Sequence, residues 1–364
     1  MTVEFRRRKR RKVRKEIKYG LFVIVTVLFV VLTFTFIIPL IDQMRLSSMG
    51  YSRDSARNIV AQKLTKTALS SEYSAAFDDN MSKNVIVDRY LDLYFVAVDI
   101  DDNDLLLYEK LLEIGYPLQQ VLNAFEKINF KEITPLLVFN DVVDVDSYID
   151  DIIANRDAEV FTLNNIYTKH YTKIKDITEM TSIDALINKY HMVNSDYVPE
   201  LVNMSVQYAS SGQQLQVDAY EAFKIMADAM KQDGLGGIYV YSGYRSYATQ
   251  ERIYNNYVKS KGQSWADRYS ARPGHSEHQL GLAVDVTATK STSSSFEKTD
   301  EYAWLVENAH KYGWILRYPI DKELITGYGY EPWHYRYLGE ELATKVYESG
   351  LTYDEYCVLF DDVN

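Results

Sequence analysis

The chain of 364 residues has only one cysteine, Cys357, and only six histidines. A single cysteine excludes an intrachain disulfide, and it also excludes a zinc site built from cysteine ligands. Any metal site must therefore use histidine and carboxylate side chains, which bind zinc through nitrogen and oxygen. A folded part without disulfides depends on its hydrophobic core, and 47% apolar residues are enough to build one.

Basic residues are scarce outside the N-terminal segment. Residues 1–18 hold ten Lys and Arg and two acidic residues, which leaves 30 basic and 49 acidic residues, a net charge of −19, in the rest of the chain. Nucleic-acid binding depends on contacts of Lys and Arg with phosphates, so we predict no nucleic-acid partner for this acidic body. A basic run can also be a nuclear or nucleic-acid-binding tail, but the residues that follow it indicate another role.

Charged residues are absent between Lys18 and Asp42. Residues 19–41, YGLFVIVTVLFVVLTFTFIIPLI, are apolar on every helical face, whereas a core helix of a soluble protein is amphipathic. About 20 such residues span a bilayer, and the basic residues 1–18 would remain in the cytoplasm. A cleaved signal peptide is the alternative, but its apolar part is only ~7–15 residues long. We therefore predict an uncleaved single-pass membrane anchor, with the rest of the chain outside the cytoplasm.

Residues 43–160 are predicted to form a helical region, since segments such as AQKLTKTAL, DLLLYEKLLEI and LQQVLNAFEKI carry apolar residues at helical spacing. A short pattern occurs at 50–52, 115–117 and 350–352, where glycine is followed two residues later by Ser, Pro or Thr. The glycine can end one helix and the third residue can begin the next. The pattern is either a repeated helix–turn–helix unit or an ordinary boundary between successive helices. In both cases it indicates packing rather than chemistry.

From about residue 184 the predicted strands alternate with helices. IYVYS, GLAVDVTA, WILRY and YEPWHYRY are typical of strands, and VDAYEAFKIMADAMKQDG is typical of an amphipathic helix. The alternation lacks a regular βαβ rhythm, so we predict an α+β fold rather than a parallel α/β fold. The polar residues 161–185 are predicted to connect this part to the helical region.

The stretch SARPGHSEHQLGLAVDV, residues 270–286, contains two histidines and two acids within eleven residues. His278 and Asp285 can reach one point if a turn leads into the following strand, and Gly281 permits the close backbone approach of such a turn. A third ligand must be remote in sequence, and His334 in EPWHYRY is the best candidate. Glu331 lies three residues before it, where it could move a proton.

The same residues allow a reading without a metal. Spacing alone leaves a metal site and a polar cluster as equal alternatives, although the carboxylate of Asp285 between apolar residues needs a cation, hydrogen bonds or an ion pair. His170, His191 and His310 are predicted to be ordinary surface or core histidines. His275 is ambiguous, because it lies only three residues before His278.

Three motifs in this part of the chain resemble a known family. SEHQLGLAVD fits S-x-H-x-x-G-x-A-x-D, EPWHYRY fits E-x-W-H, and SGYRSYATQ precedes both. Over about residues 184–340 the chain resembles the VanY-like zinc D-alanyl-D-alanine carboxypeptidases, whose fold is shared with the hedgehog signalling domain. The resemblance implies zinc as the cofactor, with His278, Asp285 and His334 as ligands and Glu331 as the catalytic base.

The resemblance also implies a substrate pocket. Arg245 matches the arginine that contacts substrate and stabilises the developing oxyanion, and Ser276 matches a residue near the substrate carboxylate. Weaker pocket candidates are Tyr244, Gln250 and Gln279.

The predicted organisation has five parts: a basic cytoplasmic tail at 1–18, a transmembrane helix at 19–41, a helical extracytoplasmic region at 43–160, a hedgehog/D,D-peptidase-like catalytic domain at 184–345, and a helical segment at 346–364. The expected function is removal of the terminal D-alanine from peptidoglycan stem peptides by a membrane-anchored zinc carboxypeptidase. The alternatives are an L,D-carboxypeptidase acting on tetrapeptide stems, a stem-peptide endopeptidase and a non-catalytic cell-wall-binding or signalling module. A pure binder has no need of a base such as Glu331 beside its metal.

Overall fold

The protein divides into two compact units, Met1–Leu105 and Leu106–Asn364. The computed structural model describes residues 3–84, 88–139, 141–154, 169–288 and 293–360. The predicted helical region 43–160 is shared between the two units, and residues 161–168 of the predicted connecting segment lie outside the described residues.

The first unit begins with a long helix. Helix α1 (Val3–Leu32) continues through a π-helical turn (Thr33–Ile37) into α2 (Ile38–Met49), so the helix extends beyond the predicted segment 19–41 at both ends. Its stretch Arg14–Met49 is long and apolar enough to cross a bilayer, and none of its most apolar window is buried. Length and composition near the N-terminus fit an anchor and a signal sequence alike.

Shorter helices complete the first unit. They are α3 (Arg53–Ala61), α4 (Thr65–Ser70), α5 (Ala75–Ser82) and α6 (Leu91–Val96), followed by α7 (Asp102–Ile114), within which the boundary between the units lies. The segment AQKLTKTAL is divided between α3 and α4, because α3 ends at Ala61 and Lys63 takes a positive φ of 63°. A left-handed residue ends a right-handed helix because its carbonyl no longer points along the helix axis.

The glycine pattern marks helix boundaries, as predicted. Gly50 is left-handed after α2, and the side chain of Ser52 caps α3 by accepting from Ser55 N. At the third copy, Thr352 N donates to Glu355 Oε2 at 2.7 Å and Glu355 N donates to Thr352 Oγ1 at 3.2 Å. This reciprocal pair is a capping box, which satisfies two backbone N–H groups at the start of a helix.

The second unit combines helices with a four-stranded antiparallel sheet, so the predicted mixture of helices and strands is confirmed. The strands are β1 (Lys175–Asp176), β2 (His191–Met192), β3 (Val202–Asn203), β4 (Gln214–Leu215), β5 (Ile238–Ser242), β6 (Ala283–Ala288), β7 (Trp314–Leu316) and β8 (His334–Tyr337). The sheet has the order β5-β6-β8-β7, and the other four strands form two small pairs.

Helices flank these strands in chain order. They are α8 (Leu118–Lys127), α9 (Phe130–Ile133), α10 (Pro135–Val138), α11 (Val145–Ala154), α12 (Val217–Gln232), α13 (Tyr247–Lys261), α14 (Gln263–Tyr269), α15 (Asp300–Asn308), α16 (Glu323–Thr326), α17 (Glu340–Ser349) and α18 (Tyr353–Phe360).

The core of the second unit lies between α12 and one face of the sheet. Phe223 and Met226 on α12 share one buried cluster with Val284, Val286 and Trp314 from the strands, and the Phe223 and Trp314 rings meet edge to face at 6.0 Å. Each such side chain stabilises the fold by about 1.5–3 kcal/mol through burial. The packed sheet gives its polar residues fixed positions.

Candidate metal centre

The register of the central strands brings two of the predicted ligands together. Asp285 on β6 lies directly opposite His334 on β8, and Ser242 on β5 lies on the other side of Asp285. Side chains of directly opposed residues lie on the same face of a sheet, about 5 Å apart. The pairing therefore places a carboxylate beside an imidazole, although 49 residues separate them in sequence.

A short 3₁₀ turn, Glu277–Leu280, adds the third residue, His278. The turn ends at Gly281 with a φ of 69°, and a Cβ at that position would lie 2.8 Å from Leu201 Cδ2. Glycine therefore supplies both the left-handed backbone and the close approach that lead the chain into β6. This geometry agrees with the role predicted for Gly281.

The three side chains converge on one point. Asp285 Oδ1 lies 3.3 Å from His278 Nε2 and 3.2 Å from His334 Nδ1, and one ligand atom from each residue lies within 4.8 Å of the others. Zinc bonds of about 2.0–2.1 Å in a tetrahedron separate neighbouring ligand atoms by about 3.3 Å. Two imidazoles and one carboxylate at these spacings therefore fit a zinc ion and leave a fourth position open.

The hydrogen bonds behind the imidazoles orient the free nitrogens toward that point. His278 Nδ1 lies 2.7 Å from the Gly243 carbonyl oxygen, and His334 Nε2 lies 3.1 Å from Glu277 Oε2. Both partners can only accept, so a proton sits on each of these nitrogens. His278 Nε2 and His334 Nδ1 are therefore the nitrogens left to bind a metal, and both lie near Asp285 Oδ1. His278 Nε2 is buried and makes no hydrogen bond within the described residues, as expected for an atom that ligates a metal.

The surroundings of the cluster favour the deprotonated forms of His278 and Asp285. Burial lowers the pKa of His278 to about 4. Although burial opposes it, contact with His278, His334 and Arg245 holds the pKa of Asp285 well below its usual range. Burial also lowers the pKa of His334, but hydrogen bonds to Asp285 and Glu277 raise it to about 9 in the metal-free protein. A bound divalent cation would take the place of that proton.

Glu331 lies at the edge of the cluster. Its Oε2 is 3.6 Å from His334 Nδ1, and its side chain is 13% exposed. Burial raises the pKa of Glu331 to about 7. A carboxyl group that titrates near neutral pH can both accept and return a proton during one reaction cycle.

A cavity of about 350 Å³ opens over the cluster. Three of the pocket candidates given by the resemblance line it: Arg245, Gln250 and Ser276. Tyr244 and Gln279 are absent from its lining. The Gln279 side chain is fully buried and donates to the Asn194 carbonyl at 2.8 Å. The backbone N–H of Tyr244 donates to the carbonyl oxygen of Gln214, a residue that is not part of the cavity lining.

Arg245 is held in place from two sides. Its Nη2 donates to Asp285 Oδ2 and its Nη1 donates to Gln250 Oε1, both at 2.9 Å. Gln250 is fixed in turn by a 2.7 Å bond from Nε2 to the Ala271 carbonyl. Arg245 Nε is buried and without a hydrogen bond in the described part of the chain. The guanidinium group has five N–H donors, and the bonds to Asp285 and Gln250 use two of them. Gln250 therefore positions Arg245, which retains donors for a ligand.

Sequence reasoning missed the aromatic part of the cavity wall. These unpredicted aromatic residues are Tyr241, Tyr257, Tyr269, Tyr318, Tyr328 and Trp333. The ring of Tyr318 lies 4.9 Å from that of His334. The only signal was the count of 31 tyrosines, which does not indicate which of them meet. Sequence reasoning also missed Arg317 and Arg336, which donate hydrogen bonds to Glu277.

The other histidines have separate contacts. His275 Nδ1 bonds the Asn188 carbonyl oxygen at 2.8 Å, and His310 stacks on Tyr347 at 3.8 Å. His191 contacts the Asn188 side chain, and His170 lies beside Lys189. Across the described residues, the group of His278, Asp285 and His334 alone has the spacing of a metal site.

Comparisons with known proteins find similarity to carboxypeptidases. The family model described as VanY: D-alanyl-D-alanine carboxypeptidase matches residues 212–340. YodJ of Bacillus subtilis (strain 168), named as a carboxypeptidase, is 36% identical over 214 residues, which cover 56% of this chain and 78% of YodJ.

Two further proteins are similar over the same part. A D-alanyl-D-alanine carboxypeptidase of Enterococcus faecalis (strain ATCC 700802 / V583) is 38% identical over 180 residues, covering 47% of this chain and 64% of the relative. The solved structure of the LdcB LD-carboxypeptidase is 37% identical, with a TM-score of 0.49, and the match covers 54% of this chain and 94% of that chain.

Proposed function

The chain belongs to the VanY-like D-alanyl-D-alanine carboxypeptidases, and from this premise we propose that it is a membrane-anchored zinc peptidase that removes the terminal D-alanine from peptidoglycan stem peptides. The observation that carries the proposal is the convergence of His278, Asp285 and His334 beside Glu331 in a cavity of about 350 Å³. The hedgehog/D,D-peptidase-like fold predicted for residues 184–345 is part of this proposal.

The donor set supports zinc as the cofactor. His278 through Nε2, His334 through Nδ1 and Asp285 through Oδ1 would hold the ion, and one open position is typical of a catalytic zinc site. When bound, zinc supplies Lewis-acid activation of the attacking water and of the scissile carbonyl group.

The chain's own residues would handle the protons and the developing charge. Glu331 accepts a proton from the attacking water and returns it to the amine of the departing D-alanine, for which a pKa of about 7 is suitable. Arg245 lines the cavity and can donate a guanidinium N–H to the carbonyl oxygen that gains negative charge, and one such donor contributes about 3–4 kcal/mol to the transition state. Ser276 lines the same cavity and can donate its hydroxyl to the substrate carboxylate.

The long N-terminal helix supports attachment to a membrane. The uncharged residues 19–41 follow a strongly basic segment, and this order keeps the N-terminus in the cytoplasm by the positive-inside rule. An extracytoplasmic catalytic unit would then meet its substrate in the cell wall.

The direct test uses the full-length protein in detergent, loaded with zinc, with muramyl pentapeptide and muramyl tetrapeptide as substrates. We expect release of one D-alanine from the pentapeptide, measured by mass spectrometry, and no release from the tetrapeptide. Cleavage of the tetrapeptide would instead indicate L,D-carboxypeptidase activity. A folded, zinc-loaded protein that cleaves neither peptide would contradict the proposal and favour an endopeptidase or a wall-binding module.

The pH dependence of this activity should report on Glu331. The base acts in its deprotonated form, so kcat/KM is expected to fall as the pH decreases through the pKa of Glu331. That pKa is about 7 in the metal-free protein, and the positive charge of a bound metal lowers the pKa of a nearby carboxyl group. We expect the acid limb of the pH profile at or below pH 7. An acid limb well above pH 7 would assign the titration to another group.

A further inference from the structure

A chain of four buried charged side chains leads from the metal centre to the C-terminal helix. Glu277 Oε2 bonds His334 Nε2 at 3.1 Å, and Glu277 Oε1 accepts from Arg317 Nε at 2.8 Å and Arg336 Nη1 at 3.1 Å. Arg317 Nη1 in turn donates to Asp354 Oδ2 at 2.5 Å. The two acids and two arginines are at most 3% exposed. The two negative and two positive charges sum to zero. Of this group, Glu277 contacts the metal centre, through the hydrogen bond between its Oε2 and His334 Nε2.

Glu277 determines which nitrogen of His334 faces the other ligands. Its carboxylate can only accept, so it keeps a proton on Nε2 and leaves Nδ1, which lies 3.2 Å from Asp285 Oδ1, as the nitrogen that would bind the metal. A carboxylate behind a ligating histidine also makes the imidazole a stronger donor to the metal. The position of Glu277 therefore matters to the metal as well as to the fold.

The two arginines determine the position of Glu277. Arg336 is anchored by backbone carbonyls, with Nη2 donating to Ile183 at 2.8 Å and to Ala185 at 2.9 Å. Within the described residues, the side chain of Arg317 makes no hydrogen bond to a backbone carbonyl. Its hydrogen-bond partners are the carboxylates of Glu277 and Asp354. Removal of the Asp354 charge would leave Arg317 with one anionic partner in a buried site, where an unpaired charge is costly.

Asp354 is fixed by its own surroundings. It lies in the first turn of α18, between the two residues of the capping box, Thr352 and Glu355. Its second oxygen, Oδ1, accepts from Asn188 Nδ2 at 2.9 Å. Helix α18 lies beyond residue 340, where the match to the family model ends.

We propose that Asp354 and Arg317 are positioning residues of the metal centre: through Glu277 they hold His334 with Nδ1 directed at the metal, so that α18 forms part of the site. The proposal rests on the function proposed above, since it takes zinc as the ligand. It assigns residues 353–360 a role in metal binding that their sequence alone does not reveal.

The test measures zinc affinity of the full-length apoprotein in detergent, by competition with a chromophoric chelator. Glu277→Gln should raise the Kd for zinc by about 10–100-fold, the usual effect of losing the partner of a ligating histidine. Asp354→Asn removes a charge one ion pair further from the metal and should raise the Kd for zinc by about 3–10-fold. If Glu277→Gln does not fold, the Asp354→Asn variant still tests the proposal.

Glu355→Gln is the matched control. Glu355 is the adjacent acid on the same helix and is equally buried, but its partners are Thr352 and Lys322. This variant should lower the melting temperature without changing the Kd for zinc, which separates a loss of stability from a loss of metal positioning. Equal zinc affinity in the wild type, Asp354→Asn and Glu355→Gln would overturn the inference even if the protein is an active carboxypeptidase. A wild type that binds zinc but releases no alanine would overturn the proposed function and leave the affinity comparison intact.

Discussion

The Glu331→Gln variant is expected to lose about 10²–10⁴-fold in kcat for D-alanine release, the range contributed by a positioned general base. Glutamine has nearly the same shape as glutamate but cannot accept the proton of the attacking water. The Glu331 side chain lies 3.6 Å from His334 Nδ1 and is outside the group of three converging ligands, so the affinity for zinc should change little. The measurement is single-turnover release of alanine from muramyl pentapeptide by mass spectrometry.

Zinc affinity measured on the same Glu331→Gln sample distinguishes the possible outcomes. Retained zinc with lost activity assigns Glu331 to proton transfer. Retained zinc with nearly full activity would exclude Glu331 as the base. A parallel loss of zinc and of activity would make Glu331 a residue that holds the metal, which the 3.6 Å separation does not predict.

The second large effect is expected from His278→Ala. This change removes one of three ligand atoms, so the Kd for zinc should rise by more than the ~100-fold that loss of an outer partner can cause. Activity should be absent at micromolar zinc, because Lewis-acid activation is lost with the metal. The same loss is expected when the wild type is treated with a strong chelator, and zinc added back to the wild type should restore it.

His275→Ala is the control for this change. His275 lies in the same turn region and is buried, but its Nδ1 bonds the carbonyl oxygen of Asn188. This variant should bind zinc with unchanged affinity, whatever its effect on stability. If His275→Ala lost zinc as completely as His278→Ala, the assignment of His278, Asp285 and His334 as the three protein ligands would be wrong.

Local features of the site could be predicted from sequence because they lie within one short segment. His278, Gly281 and Asp285 fall within eight residues, and glycine's freedom at positive φ is a local property. The remote ligand His334 was the best candidate among only six histidines, and the E-x-W-H motif of the family supported that choice. The glycine turns and most helices were likewise predictable, since caps and periodicity act over a few residues.

Features that depend on distant contacts were not predictable. Glu277 meets Arg317 and Arg336 across 40 and 59 residues, and a single sequence does not show which charges become paired in the interior. Strands β1 to β4 have two residues each, too few for an alternating pattern. Gln279 lies beside a ligand in sequence, yet its bond to the Asn194 carbonyl keeps it out of the cavity lining.

The strand order β5-β6-β8-β7 has a consequence for synthesis of the chain. A chain that emerges N-terminus first presents His278 and Asp285 well before His334, which follows 49 residues after Asp285. At about 5–20 residues per second, that delay lasts roughly 2–10 s. Through this interval the nascent chain carries a two-ligand half-site at β6, which can pair with β5 but not yet with β8. Because the third ligand lies on β8, the set of three ligands is complete only after β8 has emerged and paired.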